Sequence, residues 1–259
     1  MDFCVISPIT GLERYSVLST THLLLAQIND SNYWAFYINR RKAGDFIILD
    51  NGAYEGELNR STLLDRIKLV KPQVVALPDR LGEDWKASSY SSFHFLESYY
   101  HEFPKVQWMY IPQAEPGDII GFVESLFRAL DDERISYIGL PRALSYSITS
   151  DLAMRVRMAE QIRKRDSRVK IHALGMVKGS VLELKQLASL GCVASIDSNA
   201  PVWRGWCGYS LSDKWSETPV DYANTWSPAA GGARDLQILS NLKECGIDGD
   251  IYLGSGSGT

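Results

Sequence analysis

The amino-acid sequence predicts an α/β fold, a (β/α)8 TIM-like barrel with long insertions after strands 1 and 7. Short apolar runs of strand length recur eight times, and stretches with apolar residues at helical spacing separate them. The runs are apolar throughout rather than alternating, which suits parallel strands covered on both faces. With 259 residues and 45% hydrophobic content, the chain is long enough to close such a barrel as one domain.

The predicted strands, in order, are Phe3–Ser7, Phe46–Leu49, Val74–Leu77, Val106–Ile111, Tyr137–Leu140, Val169–Leu174, Val193–Ile196 and Ile251–Leu253. Helical spacing marks Thr62–Val70, Trp85–Tyr100, Asp118–Leu130, Ser150–Lys164, Ser180–Leu190 and Ala233–Cys245. Residues 8–45 are long for a single connection, and 198–232 are rich in Trp, Pro and Gly. Long excursions on barrels usually carry function. An open doubly wound sheet is the competing architecture, but no GxGxxG follows the first strand. Residues 1–254 therefore read as one catalytic domain and 255–259, within "GSGSGT", as a flexible tail.

The net charge of −4 argues against a uniformly basic nucleic-acid binder, while leaving room for a local basic patch. Cys4, Cys192, Cys207 and Cys245 include no CxxC pair, so free thiols are expected and no metal site. No signal peptide pattern and no run of about 18 apolar residues is present, so a cytoplasmic protein is expected.

In a barrel of this type the site lies at the C-terminal ends of the strands. Asp50, Asn51, Gly52 and Tyr54 follow the second predicted strand, Asp79 the third and Gln113 the fourth. The fifth brings Gly139 and Leu140, the sixth Gly175 and Met176, the seventh Asp197. Singly, each aspartate also suits a turn or a helix cap. Together, three carboxylates, an amide and several backbone groups converge on one mouth. Asp50 and Asp197 suit nucleophilic and acid–base work at a sugar carbon, with no cofactor required. Asp79, Gln113 and the backbone at Gly139 and Leu140 suit a flat heterocycle, with Tyr54 and Met176 to sandwich it. His172 lies inside a strand pattern and reads as a satisfied core histidine.

These segments resemble, in order, motifs of the tRNA-guanine transglycosylase superfamily: "DNGAY", the aspartate of "LPDRLG", "IPQAE", "GLPRAL", "HALGMVKG" and "IDSNAPVWRG". The zinc-free layout is most similar to the compact phage-type DNA-guanine transglycosylases. The resemblance implies base exchange, in which a flipped guanine of double-stranded DNA is replaced by a free 7-deazaguanine such as 7-cyano-7-deazaguanine. Asp197 would form a covalent sugar intermediate, Asp50 would act as acid and base, and Asp79, Gln113, Gly139 and Leu140 would read the purine. A homodimer is an allowed assembly.

For contact with DNA, Trp203, Arg204, Trp206 and Lys214 interleave aromatic and basic residues in one segment. The same residues would equally form a satellite core under a long loop. Arg40–Lys42 and Arg163–Arg165 are basic clusters that also suit helix C-termini. Two alternatives stand beside DNA base exchange. One is the same chemistry on tRNA. The other is a TIM-barrel enzyme acting on a small phosphorylated metabolite, which requires a phosphate site after the last two strands.

Overall fold

The computed structural model describes residues 1–53, 59–176, 180–213 and 228–248. Eight parallel strands form a nearly closed (β/α)8 barrel: β1 (Asp2–Val5), β2 (Thr21–Leu25), β3 (Phe46–Asp50), β4 (Val74–Ala76), β5 (Gln107–Tyr110), β6 (Ile135–Pro141), β7 (Lys170–Leu174) and β8 (Val193–Ser198). Their order around the ring is β1-β8-β7-β6-β5-β4-β3-β2. Among the described residues no backbone ladder joins β1 to β2. Side chains bridge that seam: Ser19 Oγ donates to the Phe3 carbonyl at 2.7 Å and Thr21 Oγ1 to Asp2 at 2.8 Å.

Helices α1 (Ser31–Lys42), α2 (Arg60–Val70), α3 (Trp85–Tyr99), α4 (Ile119–Leu130), α5 (Met154–Arg165), α6 (Val181–Ser189), α7 (Ala200–Trp206) and α8 (Ala233–Glu244) surround the ring. The residues make two apolar layers because successive strand side chains point to opposite faces. Leu49, Val75, Ile138 and Ile171 face outward to the helices. Cys4, Leu25, Ile48, Ala76 and Met109 fill the interior.

The connection 8–45 is more than an insertion. It contains β2 and α1, so the barrel gains a strand that the sequence reading passes over, and the predicted second strand is β3. "THLLL" has the length and apolarity of a strand, and all five of its residues are buried. Asp30 caps α1 by accepting from the backbone of Asn32 and Tyr33, while Arg40, Arg41 and Lys42 occupy its last turn, where cations suit the helix dipole. The predicted strand Ile251–Leu253 lies outside the described residues. Among the described residues no helix is long and apolar enough to cross a membrane.

Candidate active site at the barrel mouth

Inward-facing positions on β3 are Phe46 and Ile48, so alternation turns Asp50 inward at the strand's C-terminal end. Asp50 is 9% exposed. Gly52, at a φ of 77°, folds its N–H back to within 3.1 Å of Asp50 Oδ2. Its neighbour Asn51 donates at 2.6 Å both to the Leu77 carbonyl and to Asp79 Oδ1.

Asp79, just past β4, is gripped through both oxygens, because Gln113 Nε2 donates to Oδ2 at 2.6 Å. Burial pushes its carboxyl up to about 6, against the opposing pull of those two amide bonds. A carboxyl in that range exchanges its proton near neutral pH.

Asp197 ends a different line. The β7–β8 register shifts between Ile171 and His172, so Ser195 comes opposite His172. The ring of His172 then bridges two β8 residues, with Nδ1 2.7 Å from Ser195 Oγ and Nε2 3.1 Å from Asp197 Oδ1. A donor Nε2–H toward the carboxylate leaves Nδ1 to accept from the serine. Gly175, at a φ of 68°, adds its N–H to the same Oδ1 at 2.9 Å. His172 is thus a satisfied interior histidine, and its partner is a site carboxylate.

Beneath the ends of β6 and β7 lies a buried ion pair. Arg155 Nε meets Glu183 Oε1 at 2.9 Å, and Arg155 Nη1 donates to the Leu174 carbonyl at 2.8 Å. Burial lowers the Arg155 pKa, and Glu183 opposes that shift. The pair ties α5 and α6 to the strand that carries His172.

The remaining predicted site residues fall elsewhere. Gly139 and Leu140 sit inside β6, in register with His172 and Ala173, so their backbone belongs to the sheet. A β-carbon on Gly139 would lie 2.9 Å from Ile111 Cγ1. Met176 is buried in the outer apolar layer. Arg204 is also buried. It donates to the Leu211 carbonyl at 2.9 Å and to that of Asp213, so it clamps its own loop rather than facing a phosphate. Trp206 lies under the Arg234 guanidinium, 4.6 Å from the ring centroid. Trp203 lies on α7, partly buried. Tyr54 and Lys214 lie outside the described residues, as does the glycine-rich tail.

Sequence reasoning missed Gln27, which follows the unrecognised β2. Its signal was the apolar run ending in "AQ". A groove of about 710 Å³ lies on the outer wall, lined by Tyr90, Phe93, His94 and Arg134 among others. Its Arg134 is already paired with Glu97 and Asp132, and its residues 131–134 precede β6, at the opposite end of that strand from the mouth. Among the described residues no group of three or more His, Cys, Asp or Glu side chains could hold a metal ion.

No family model and no curated protein matches the chain. Solved structures of similar fold include a D-psicose 3-epimerase from Clostridium cellulolyticum (12% identity, TM-score 0.45, covering 76% of this chain and 84% of that one). Another, from Anabaena variabilis, is described as a sugar phosphate isomerase/epimerase (12% identity, TM-score 0.50, covering 91% and 89%). A third is PhdJ bound to a substrate intermediate (14% identity, TM-score 0.42, covering 76% and 58%).

These findings correct the expectation of a DNA-guanine transglycosylase. The similar structure with a TM-score of 0.50 is described as a sugar phosphate isomerase/epimerase and not as a transglycosylase. The geometry agrees. Asp79 and Gln113, assigned to a purine edge, bond to each other, the Gly139–Leu140 backbone is within the sheet, and Arg204 is turned inward.

Proposed function

We propose that the chain is an enzyme of the isomerase or epimerase kind, moving a proton at a carbon of a small polyhydroxylated, sugar-like metabolite. One observation carries this: Asp79 and Asp197 stand beyond β4 and at the end of β8, four places apart in a ring of eight strands. Two carboxylates on opposite walls of a mouth can address opposite faces of one carbon.

In the proposed step one carboxylate takes the proton from a carbon next to a carbonyl. The C–H electron pair becomes the C=C bond of an enolate, and the carbonyl oxygen takes up the charge. Re-protonation from the opposite carboxyl inverts the centre. Re-protonation at the former carbonyl carbon, with the hydroxyl proton of the first carbon passing to the former carbonyl oxygen, gives the isomer. Asp79 suits the proton-exchanging role because its carboxyl titrates near 6. Asp197, pinned through Oδ1 by His172 and Gly175, would use Oδ2. Asp50, on the strand beside Asp79, adds a third acidic group to the mouth. The support is this placement of carboxylates, and the shared fold supplies only the scaffold.

A second version, with a phosphorylated substrate, is favoured by Arg142, whose stem lies over Gly175 at the end of β7. The test is incubation with aldoses, ketoses and their phosphates in D2O, followed by NMR of carbon-bound deuterium. Exchange in wild type and its loss in Asp79→Asn and Asp197→Asn support the proposal. Absence of exchange across the panel would overturn it.

A further inference from the structure

Gln27 stands just past β2, two residues beyond Leu25, which lies level with Asp50 in the β2–β3 ladder. Leu23 and Leu25 face the barrel interior, and Gln27 follows in the turn that closes β2 at the C-terminal end of the strand. Both ends of its amide, Oε1 and Nε2, are buried, and among the described residues neither has a hydrogen-bond partner.

The backbone around this side chain is locked. Leu25 N–H donates to the Tyr33 hydroxyl at 2.8 Å, and Ile28 N–H to the Leu25 carbonyl at 3.2 Å. The Ile28 carbonyl accepts from Trp34 Nε1 at 2.8 Å and from Arg66 Nη2 at 3.2 Å. Arg66 in turn stacks on Trp34, its guanidinium 4.4 Å from the ring centroid. A rigidly held turn thus carries a buried, unsatisfied amide. Leaving a buried donor or acceptor unpaired costs folding free energy unless a ligand supplies the partner.

Three strands further round, Gln113 repeats half of the pattern. Its Nε2 is committed to Asp79, which fixes the amide orientation, and its buried Oε1 has no partner among the described residues. The ends of β2, β3, β4 and β5 therefore present an amide, a carboxylate, a carboxylate and an amide in sequence. Arg80, which follows Asp79 directly, is exposed and paired with Glu83.

We infer that this arc is a subsite for the uncharged, hydroxyl-bearing end of the substrate, with Gln27 as its specificity-determining residue. A hydroxyl both donates and accepts, so it matches an amide offering one of each. A phosphate there would meet the carboxylates of Asp50 and Asp79, while Arg80 is engaged with Glu83. The inference rests on the sugar-like substrate proposed above, and names which part of the mouth reads it.

The experiment compares wild type with Gln27→Met and Gln27→Asn. The Met variant keeps the length of the side chain and removes the amide, whereas Asn keeps the amide one methylene short. Melting temperature is measured without ligand, and affinity for a panel of neutral pentoses, hexoses and their phosphates by calorimetry. The inference expects Gln27→Met to melt above wild type, because a buried unpaired amide is gone. It also expects the Met variant to bind the best sugar at least ten-fold more weakly, with Asn in between. A lower melting temperature or unfolding of the Met variant would mean that the amide supports the native chain, which overturns the inference. Unchanged affinity in that variant overturns the subsite while leaving the functional proposal intact. If wild type binds no member of the panel, the functional proposal falls and the ligand class with it.

Discussion

Nε2 of His172 lies 3.1 Å from Oδ1 of Asp197, although the two residues sit on separate strands, 25 positions apart in the chain. The β7–β8 register shifts just before His172 and sets Ser195 opposite it, and strand alternation places Asp197 on the same face of β8 as Ser195. Asp197 is therefore held from below by a ring that is itself held by Ser195.

His172 is expected to act as a positioning residue. Replacing it with Ala removes one of the two described hydrogen bonds to Asp197 Oδ1 and frees the carboxylate to swing. A misplacement near 1 Å can cost about a hundred-fold in rate. His172→Ala should lower kcat by roughly ten- to a hundred-fold while KM changes little, and Ser195→Ala should do so more mildly. Steady-state kinetics on the substrate identified by deuterium exchange check this. Equal loss in KM and kcat would assign the ring a general packing role.

Asp79 links activity to pH. Its carboxyl is raised to about 6, so the base form, and with it kcat/KM, should rise through that pH. Stability moves the other way. A raised carboxyl favours the folded state fully below its unfolded value and loses that contribution as pH climbs through about 6. Asp79→Asn should therefore gain melting temperature over wild type as pH goes from about 5 to about 8, while losing turnover. A melting difference constant across that range would show that Asp79 carries no such penalty.

The Arg155–Glu183 pair is fully inside the protein. Removing one partner leaves a buried charge alone, at a cost of about 3–5 kcal/mol. Arg155→Met should show that loss in urea denaturation. The double variant Arg155→Met, Glu183→Leu should recover a large part of it. Failure of the second change to compensate would mean that the bond from Arg155 to the Leu174 carbonyl dominates.

Gly205 marks where α7 meets α8. A β-carbon there would lie 2.5 Å from the backbone N and Cα of Ile238. Main chain cannot yield as a flexible side chain can, so Gly205→Ala should cost at least about 1–3 kcal/mol, read as a lower urea midpoint. An unchanged midpoint would place α8 further from α7 than described.

Seven of the eight predicted strands fall on observed strands, because buried parallel strands leave short, uniformly apolar runs in the sequence. The helices with clear periodicity, such as α4, are equally legible. Helix α1 escapes although Tyr33, Phe36 and Tyr37 fall at helical spacing, because it lies inside a connection, 8–45, that reads as one long insertion. Its neighbour β2 escapes with it, and so does Gln27. Arg204 misleads for a different reason. A basic residue between tryptophans has the composition of a nucleic-acid contact, yet its guanidinium is spent on carbonyls of its own loop.

From residue order alone come the alternation of strands and helices, the placement of Asp50, Asp79, Gln113 and Asp197 after apolar runs, and hence the end of the barrel where the proposed site lies. Those are local properties, written in periodicity and in the polar residue that terminates each run. Only the nearly closed sheet decides that Asp79 and Asp197 stand four strands apart, that Gln113 holds Asp79, that His172 lies within reach of Asp197, and that Gly139 is packed away. Strand order, register and barrel closure are set by packing between segments distant in sequence, and no local pattern encodes them.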